Sequence, residues 1–242
     1  MYKAILFDLD GTLLPLNTQQ FLNAYLDLLK KEVKTLYDPE EFVKHVLIGS
    51  QKMIEYNGTG KTNQEIFFEY FFNAVSLPRT QITSFFNQFY REKFPKLKYK
   101  FNIDRDVILN IEQLMAELHR YSWIKKAIAT NPVFPREAIK NRLNWIALEV
   151  SDFDLVTSYE NMHSTKPNSD YYCEVADKLD LKCGDCLMVG NDTREDLIAR
   201  DVGMDVFLVT ENIIDPHGCA QDYPQEKKGD FSQLMKFLEK NL

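Results

Sequence analysis

The spacing of apolar residues divides the chain into two parts, and the first part is predicted to be helical. Between residues 17 and 100 the apolar residues recur at helical spacing, and strand signals are almost absent. Turn-forming residues at 38–39, 57–60 and 77–78 separate the groups. The segment therefore predicts a bundle of about four helices with aromatic residues in its core. The apolar positions are Phe21, Tyr25, Leu28, Leu29, Phe42, Val46, Leu47, Ile66, Phe67, Tyr70, Phe71, Ile82, Phe85, Phe86 and Phe89.

After residue 102 short apolar runs alternate with amphipathic segments. Strands are predicted at residues 125–130, 155–157, 186–189 and 206–209, in addition to 4–7. Helices are predicted at residues 105–121, 135–144, 169–179, 195–202 and 231–238, with Pro135 in a first turn. Such alternation requires crossover connections, so we predict an α/β fold with a parallel sheet covered on both faces.

The first strand belongs to this sheet although the rest of the sheet lies far along the chain. The helical segment is therefore an insertion placed directly after that strand. We expect residues 1–16 and 101–242 to form one domain and residues 17–100 to form a second, helical one.

The composition and net charge of the chain indicate which classes of binding partner are unfavourable. The 242 residues are 45% hydrophobic and 27% charged, which is enough for a sizeable core. The formal net charge is −7, from 29 basic and 36 acidic residues, and it argues against a general nucleic-acid or membrane-surface binder. The basic run at residues 91–100 is predicted to be a solvated connector.

Targeting signals and cysteine usage point to the cytoplasm. The apolar run before Asp8 is too short for a secretory signal, and no apolar stretch approaches the ~18 residues that cross a bilayer. Cys183 and Cys186 have the spacing of half a zinc site or of a redox pair, but no second pair lies nearby, and they precede a strand and do not lie at the tip of a thioredoxin-like turn. We predict reduced thiols at all four cysteines, which also include Cys173 and Cys219.

The end of the first strand carries the most informative chemistry. Asp8 and Asp10 are spaced i and i+2, so on a strand both would point to the same face at its carboxyl end. Ligands of open α/β sheets bind at this edge. Two carboxylates so close repel each other unless a cation or a proton lies between them. The pair therefore predicts a divalent metal site, and an ordinary acidic turn is the alternative.

Three other predicted strand ends carry polar residues that this sheet would bring to the same edge. Thr130 and Asn131 offer a hydroxyl and an amide to an anion, and Lys166 precedes a helix as a compact charge for phosphate. Gly190 is followed by Asn191, Asp192 and Asp196. If a helix opens at Thr193, the two acids reach the same point; capping of that helix by Asp192 is the alternative.

In this order the four segments resemble the haloacid dehalogenase-like (HAD) superfamily of hydrolases. The matching motifs are residues 8–12, Thr130-Asn131, Lys166-Pro167, and Gly190-Asn191-Asp192 with Asp196. The resemblance implies a Rossmann-like three-layer core, with the helical insertion as that superfamily's mobile cap. Asn191 departs from the pattern, because many members have an acid directly after the glycine. The division of metal ligands between Asp192 and Asp196 is therefore left open.

The resemblance also implies phosphoryl transfer through an aspartyl-phosphate. Asp8 would be the nucleophile, and Asp10 would protonate the leaving oxygen and then activate water. Mg²⁺ would be held by Asp8, the backbone carbonyl of Asp10 and Asp192, with Asp196 bound directly or through another ligand. The phosphate oxygens would be held by Thr130, Lys166 and the backbone amides near Leu9 and Asn131.

The expected activity is thus hydrolysis of a small phosphorylated metabolite. Dehalogenase members lack the second acid of the first motif, so Asp10 disfavours carbon–halogen cleavage. Phosphomutase and phosphonatase activities stay open, the latter requiring an imine-forming lysine such as Lys44 or Lys52 in the cap. A phospho-aspartate signalling module and a silent interaction protein are remoter alternatives. The segment 49–52 is a candidate cap contact with substrate, although a structural role is the stronger interpretation.

Overall fold

A six-stranded parallel sheet forms the centre of the molecule in a computed structural model, which describes residues 1–56 and 60–242. Its strands lie in the order β3-β2-β1-β4-β5-β6, so the first strand of the chain is central. This architecture confirms the predicted α/β fold. The strands are β1 (Ala4–Phe7), β2 (Lys125–Ile128), β3 (Leu155–Val156), β4 (Cys186–Gly190), β5 (Asp205–Val209) and β6 (Lys228–Gly229).

Five of the eight α-helices in the described residues lie between β1 and β2, and the first four of these belong to residues 17–100. These four are α1 (Thr18–Val33), α2 (Pro39–Glu55), α3 (Asn63–Ala74) and α4 (Arg79–Gln88). A π-helical turn (Phe89–Lys93) and a 3₁₀ helix (Phe94–Lys100) continue α4. The other helices are α5 (Arg105–His119), α6 (Arg136–Trp145), α7 (Ser169–Lys178) and α8 (Phe231–Asn241). We call residues 17–100 the helical insertion; its status as a separate domain stays a prediction.

Polar residues directly before three helices of the insertion cap them. Asn17 and Asp38 accept the backbone N–H of Gln20 and Glu41, each at 2.9 Å, at the starts of α1 and α2. Thr62 begins α3 in a capping box. The turn predicted at residues 57–60 lies mostly outside the described residues, since these exclude 57–59.

Alternate residues of β1 belong to two different hydrophobic clusters. Ile5 and Phe7 pack into the cluster that includes the aromatic residues of the helical insertion. Ala4 and Leu6 pack into the cluster on the other face, with the apolar side of α7. Because all four side chains are buried, β1 is fixed in register, and the residues that follow it are fixed with it.

Several element ends differ from the predictions. The segment after β4 forms a 3₁₀ helix (Asp196–Val202), and no helix begins at Thr193. Thr193 donates its backbone N–H to the carbonyl of Ile214, next to an isolated bridge between Asp192 and Ile214. Pro135 caps α6 and is not in its first turn, and the two-residue β6 was not predicted.

The structure also bears on the predictions about membrane-spanning segments and about the cysteines. Within the described ranges, none of the helices has both the length and the apolarity needed to span a bilayer. All four cysteines are free thiols, as predicted. Burial raises the pKa of Cys183 to about 11, so its thiol is a poor nucleophile near neutral pH.

Candidate active site

A buried lysine joins the ends of three segments at the carboxyl edge of the sheet. Lys166 donates from Nζ to Oδ1 of Asp8 at 3.0 Å and to Oδ1 of Asp196 at 2.6 Å. Its side chain is fully enclosed, since the residue is 1% exposed. The topology therefore brings together three of the residues that the sequence singled out.

Burial and neighbouring charges shift the pKa values of Asp8 and Lys166. Burial is the main reason that the pKa of Asp8 is raised to about 7, against the opposing attraction of Lys166. Burial alone would lower the pKa of Lys166, but the carboxylates of Asp196 and Asp8 outweigh it and hold that pKa well above its ordinary value. The lysine is therefore a permanent cation, whereas Asp8 can exchange a proton near neutrality.

Thr12 and Asn191 support Asp8 from the other side. The hydroxyl of Thr12 lies 3.2 Å from Oδ2 of Asp8 and 2.9 Å from Oδ1 of Asn191. Gly11 has φ +86°, and a Cβ there would lie 2.3 Å from Nδ2 of Asn191. Only glycine fits both the backbone conformation and this close approach. Asn191, the departure from the family pattern, thus supports the turn that carries Asp8.

Asp192 and Asp196 are neighbours, but their carboxylates engage different partners. Oδ2 of Asp196 accepts the backbone N–H of Asp192 at 2.9 Å, and its other oxygen faces Lys166. A Cβ on Gly190 would lie 2.1 Å from Oδ2 of Asp196, so glycine is required there. Asp192 accepts the backbone N–H of Arg194 at 2.7 Å and its Nη2 at 3.0 Å. Both oxygens of Asp196 are committed to protein donors.

Asp10 has a partner that the motif analysis missed. Nη1 of Arg142, on α6, donates to Oδ2 of Asp10. Arg142 is completely buried, and its guanidinium carbon lies 4.8 Å from the ring centroid of Phe134 and 5.3 Å from that of Phe21. A usable signal was present in the sequence, since a charged residue among the apolar positions of an amphipathic helix requires a buried partner.

The residues after β2 hold the surrounding loops together. The backbone carbonyl of Thr130 accepts hydrogen bonds from the hydroxyls of Thr157 at 2.8 Å and Tyr171 at 2.9 Å. Nδ2 of Asn131 donates to the backbone carbonyl of Lys166 at 3.2 Å and to Oε1 of Glu195 at 3.3 Å. Both predicted residues therefore lie at the edge where Lys166 lies.

Leu9 fixes the turn between the two acids. Its side chain is buried, and its carbonyl accepts the backbone N–H of Leu14 at 2.8 Å. The predicted anion contact of the backbone near Leu9 stays a prediction.

The oxygen donors suit a magnesium ion in their chemistry. Among the described residues, no group of three or more His, Cys, Asp and Glu side chains is arranged to hold a metal ion. The predicted set of metal ligands needs only two such side chains, because it combines Asp8 and Asp192 with the backbone carbonyl of Asp10. Oδ1 of Asp10 is buried and has no partner in the described part of the chain. Hard oxygen donors that leave room for water are what Mg²⁺ prefers.

Two of the candidate residues of the helical insertion have their contacts within the insertion. Lys52 is exposed and pairs with Glu55 at 3.3 Å, one turn along α2. A Cβ on Gly49 would lie 2.7 Å from the ring of Phe67, so this glycine permits close packing of α2 and α3. The structural interpretation of segment 49–52 fits these two residues.

Comparison with known proteins gives an independent view of the chain. The model of a family described as haloacid dehalogenase-like hydrolase matches residues 2–203. A curated relative from Caldanaerobacter subterraneus subsp. tengcongensis, named "Putative pyrophosphatase PpaX", is 22% identical over 236 residues, covering 98% of this chain and 94% of the relative.

Solved structures with the same fold include two of particular relevance. A HAD phosphatase from Thermococcus onnurineus has a TM-score of 0.56 at 20% identity, covering 98% of this chain and 97% of its own. A β-phosphoglucomutase from Clostridium difficile has a TM-score of 0.51 at 18% identity, covering 92% of this chain and 96% of its own. At such identities the likeness shows the fold alone.

Proposed function

The chain belongs to the haloacid dehalogenase-like hydrolases, whose model matches most of its length, and we propose that it is a Mg²⁺-dependent phosphatase. Its substrate would be a small phosphorylated metabolite, hydrolysed through a phosphoryl group held transiently on Asp8. The observation that carries this proposal is the buried ion-pair arrangement of Asp8, Lys166 and Asp196 at the carboxyl edge of the sheet.

Asp8 is the proposed nucleophile. It follows the central strand, and Lys166 and Thr12 contact its two carboxylate oxygens. This fixes the orientation of the carboxylate before substrate binds, which reduces the entropic cost of attack at phosphorus. Attack by an Asp8 oxygen forms the P–O bond to the enzyme as the bond to the leaving oxygen breaks.

Asp10 is the proposed proton carrier, and Arg142 positions it. The carboxyl group would give a proton to the leaving alkoxide, then remove one from the water that attacks the phosphoenzyme. The ion pair with Arg142 fixes the orientation of this carboxyl group. In our proposal, the leaving oxygen of the bound substrate replaces Arg142 as the hydrogen-bond partner of Asp10 during the first step.

The other residues would hold the phosphoryl oxygens. Lys166, whose charge is assured by Asp196, would offset negative charge that develops in the transition state. We assign Asp196 to orienting Lys166, because both of its oxygens accept buried protein donors. Oδ2 of Asp192 instead accepts the exposed guanidinium of Arg194, which a metal ion could displace. Thr130 and the backbone amide of Asn131 would contact the remaining oxygens. Mg²⁺, held by Asp8, Asp192 and the Asp10 carbonyl, would reduce repulsion between the nucleophile and the phosphate.

The proposal is tested by phosphate release from p-nitrophenyl phosphate. We expect release with Mg²⁺, loss of release with EDTA, and loss in Asp8→Asn. The matched control is Asp27→Asn, which removes the same charge from an exposed position on α1. EDTA-insensitive release, or full activity in Asp8→Asn, would overturn the proposal.

A phosphomutase would use the same residues but pass the phosphoryl group to a sugar hydroxyl. Incubation with glucose 1-phosphates and mannose 1-phosphate separates the two activities. Free phosphate as the product supports the phosphatase, whereas conversion to a sugar 6-phosphate would replace it by the mutase.

A further inference from the structure

We propose that Asn63, the first residue of α3, is a positioning residue for phosphoryl transfer, because it holds two loops of the candidate active site at a fixed separation. The β2 loop (residues 129–135) carries Thr130 and Asn131, and the β3 loop (residues 157–168) carries Lys166. The inference rests on the proposed phosphatase function. It adds a residue of the helical insertion that acts through these loops and not on the substrate.

The side-chain amide of Asn63 bridges the two loops. Its Nδ2 donates to the backbone carbonyl of Pro132 at 3.3 Å and to that of Ser164 at 3.2 Å. Pro132 follows Asn131 directly in the chain, and Ser164 precedes Lys166 by two residues. One amide group therefore joins the two loops close to the residues that are proposed to hold the phosphoryl oxygens.

The backbone at the start of α3 adds two bonds to the β3 loop. The first N–H groups of a helix have no partner within the helix and must find one elsewhere. Here the N–H of Asn63 donates to the carbonyl of Met162, and that of Gln64 donates to the carbonyl of Tyr159, each at 2.8 Å. These bonds fix the start of α3 on the β3 loop. The side chain of Asn63 thus reaches the β2 loop from a defined position.

The burial of Asn63 favours a role beyond packing. The residue is 0% exposed. Its Oδ1 has no partner within the part of the chain that the structure describes. A buried amide with an unsatisfied oxygen is less favourable than an apolar side chain of similar size. Packing alone therefore does not explain an asparagine at this position, whereas a donor that reaches two carbonyls does.

The position of each loop matters because both would contact one phosphoryl group. Nδ2 of Asn131 also joins the loops, since it donates to the carbonyl of Lys166 at 3.2 Å. The backbone N–H of Tyr159 joins them again, to the carbonyl of Phe134 at 3.0 Å. Loss of the Asn63 amide should therefore shift the loops and not separate them. A shift of about 1 Å in a catalytic site lowers the rate by up to about 10²-fold, so a smaller shift should cost about tenfold.

Asn63→Ala tests the inference with two esters of different leaving group. We expect kcat/KM to fall about tenfold for both p-nitrophenyl phosphate and methyl phosphate, because the loops would hold the phosphoryl group that the two esters share. The matched control is Asn73→Ala on the exposed side of α3, where Nδ2 donates to the carbonyl of Glu69 within the helix. The control should behave like the wild type. A loss confined to methyl phosphate would indicate an effect on the leaving group and would contradict the inference.

Inhibition by orthovanadate separates positioning from a simple loss of folded protein. Vanadate imitates the five-coordinate phosphoryl group of the transition state, so its binding reports on the separation of the loops. We expect Ki for vanadate to rise in Asn63→Ala by about the factor by which kcat/KM falls. A merely structural role would reduce the amount of active enzyme, and with it the apparent kcat, but would leave KM and Ki unchanged. Unchanged Ki in Asn63→Ala would overturn the inference.

The wild type tests the underlying function separately. Absence of phosphate release from both esters in the wild type would overturn the phosphatase function itself. Release by the wild type, with equal kcat/KM and Ki in Asn63→Ala, would overturn the positioning role alone. Should Asn63→Ala fail to fold, Asn63→Ser takes its place. A hydroxyl has one hydrogen to donate and cannot bridge two carbonyls, so the same losses are expected.

Discussion

The carboxyl edge of the sheet and the core of the helical insertion are both buried, but they are stabilised by opposite kinds of contact. At the edge, Lys166 faces two carboxylates, and each charge depends on a partner distant in the chain. In the insertion, Phe42, Phe71 and Phe86 pack in edge-to-face and tilted arrangements with ring centroids 5.1–5.6 Å apart and carry no charge. Directional contacts at the edge are specific, whereas aromatic contacts tolerate replacement of one ring by another apolar group.

The largest expected effect is removal of the cation at the sheet edge. Lys166→Met leaves two buried carboxylates without their cation, which destabilises the fold by about 3–5 kcal/mol. Loss of a positioned charge lowers kcat by about 10²–10³-fold. Urea unfolding and phosphate release measure the two effects. Lys52→Met, which removes an exposed lysine, should change neither the stability nor kcat. If Lys166→Met changed both quantities as little as Lys52→Met does, the result would contradict the account.

Arg142 is expected to affect catalysis less, and selectively. In Arg142→Met we expect kcat for alkyl phosphates to fall about 10–100-fold, because Asp10 is no longer positioned. The fall should be smaller for p-nitrophenyl phosphate, whose leaving group needs no proton. Arg142→Lys should recover part of the activity, and Arg91→Met, on the surface, serves as the control. An equal loss for both kinds of ester would indicate a purely structural role.

The raised pKa of Asp8 predicts how stability depends on pH when EDTA removes divalent cations. The folded pKa is about 7, above the ordinary value of 3.8, so the folded protein retains a proton that the unfolded chain loses. The stabilisation is present at low pH and is lost as the pH rises through about 7. At pH 8, Asp8→Asn should therefore have the higher Tm, by about 2–4 °C for each kcal/mol.

The Tm values of the wild type and Asp8→Asn can also be compared at lower pH and with added Mg²⁺. Lowering the pH to 5 should shrink the difference in Tm, and adding Mg²⁺ at pH 8 should reverse it, because only the wild type gains binding energy. Differential scanning calorimetry measures all three conditions. A wild type that is the more stable protein in EDTA at pH 8 would be inconsistent with the burial cost assigned to Asp8.

The smallest functional effect belongs to the aromatic core of the insertion. Phe71→Leu keeps an apolar side chain at a fully buried position and should cost about 1–1.5 kcal/mol of stability. Turnover of methyl phosphate should stay within about twofold of the wild type, since surface and packing changes distant from the site leave its geometry intact. A tenfold loss of kcat in a folded variant would show that this packing controls the sheet edge.

The difference between the two regions also explains what could be predicted from sequence. Asp8, Lys166 and Asp196 stand in short local motifs at strand ends, and strand order then brings them together. Arg142 has no such motif, because its partner Asp10 is more than a hundred residues away. The sequence signal for it was the placement of an arginine among the buried positions of α6.

The remaining differences have tertiary causes as well. A helix start at Thr193 satisfied local capping rules, but the chain there pairs with the distant residue Ile214, and the 3₁₀ helix begins only at Asp196. Strand β6 consists of two residues and is defined by its pairing with β5, which no local pattern reveals.

The most direct test of the central claim is to trap the phosphoryl group on Asp8. Asp10→Asn should still accept it from p-nitrophenyl phosphate, but should release it slowly, because no carboxylate remains to activate water. Acid quenching followed by peptide mass spectrometry should then find one phosphoryl group on the peptide that contains Asp8. A phosphoryl group on another residue, or turnover in the wild type with no phosphoenzyme in Asp10→Asn, would contradict the account.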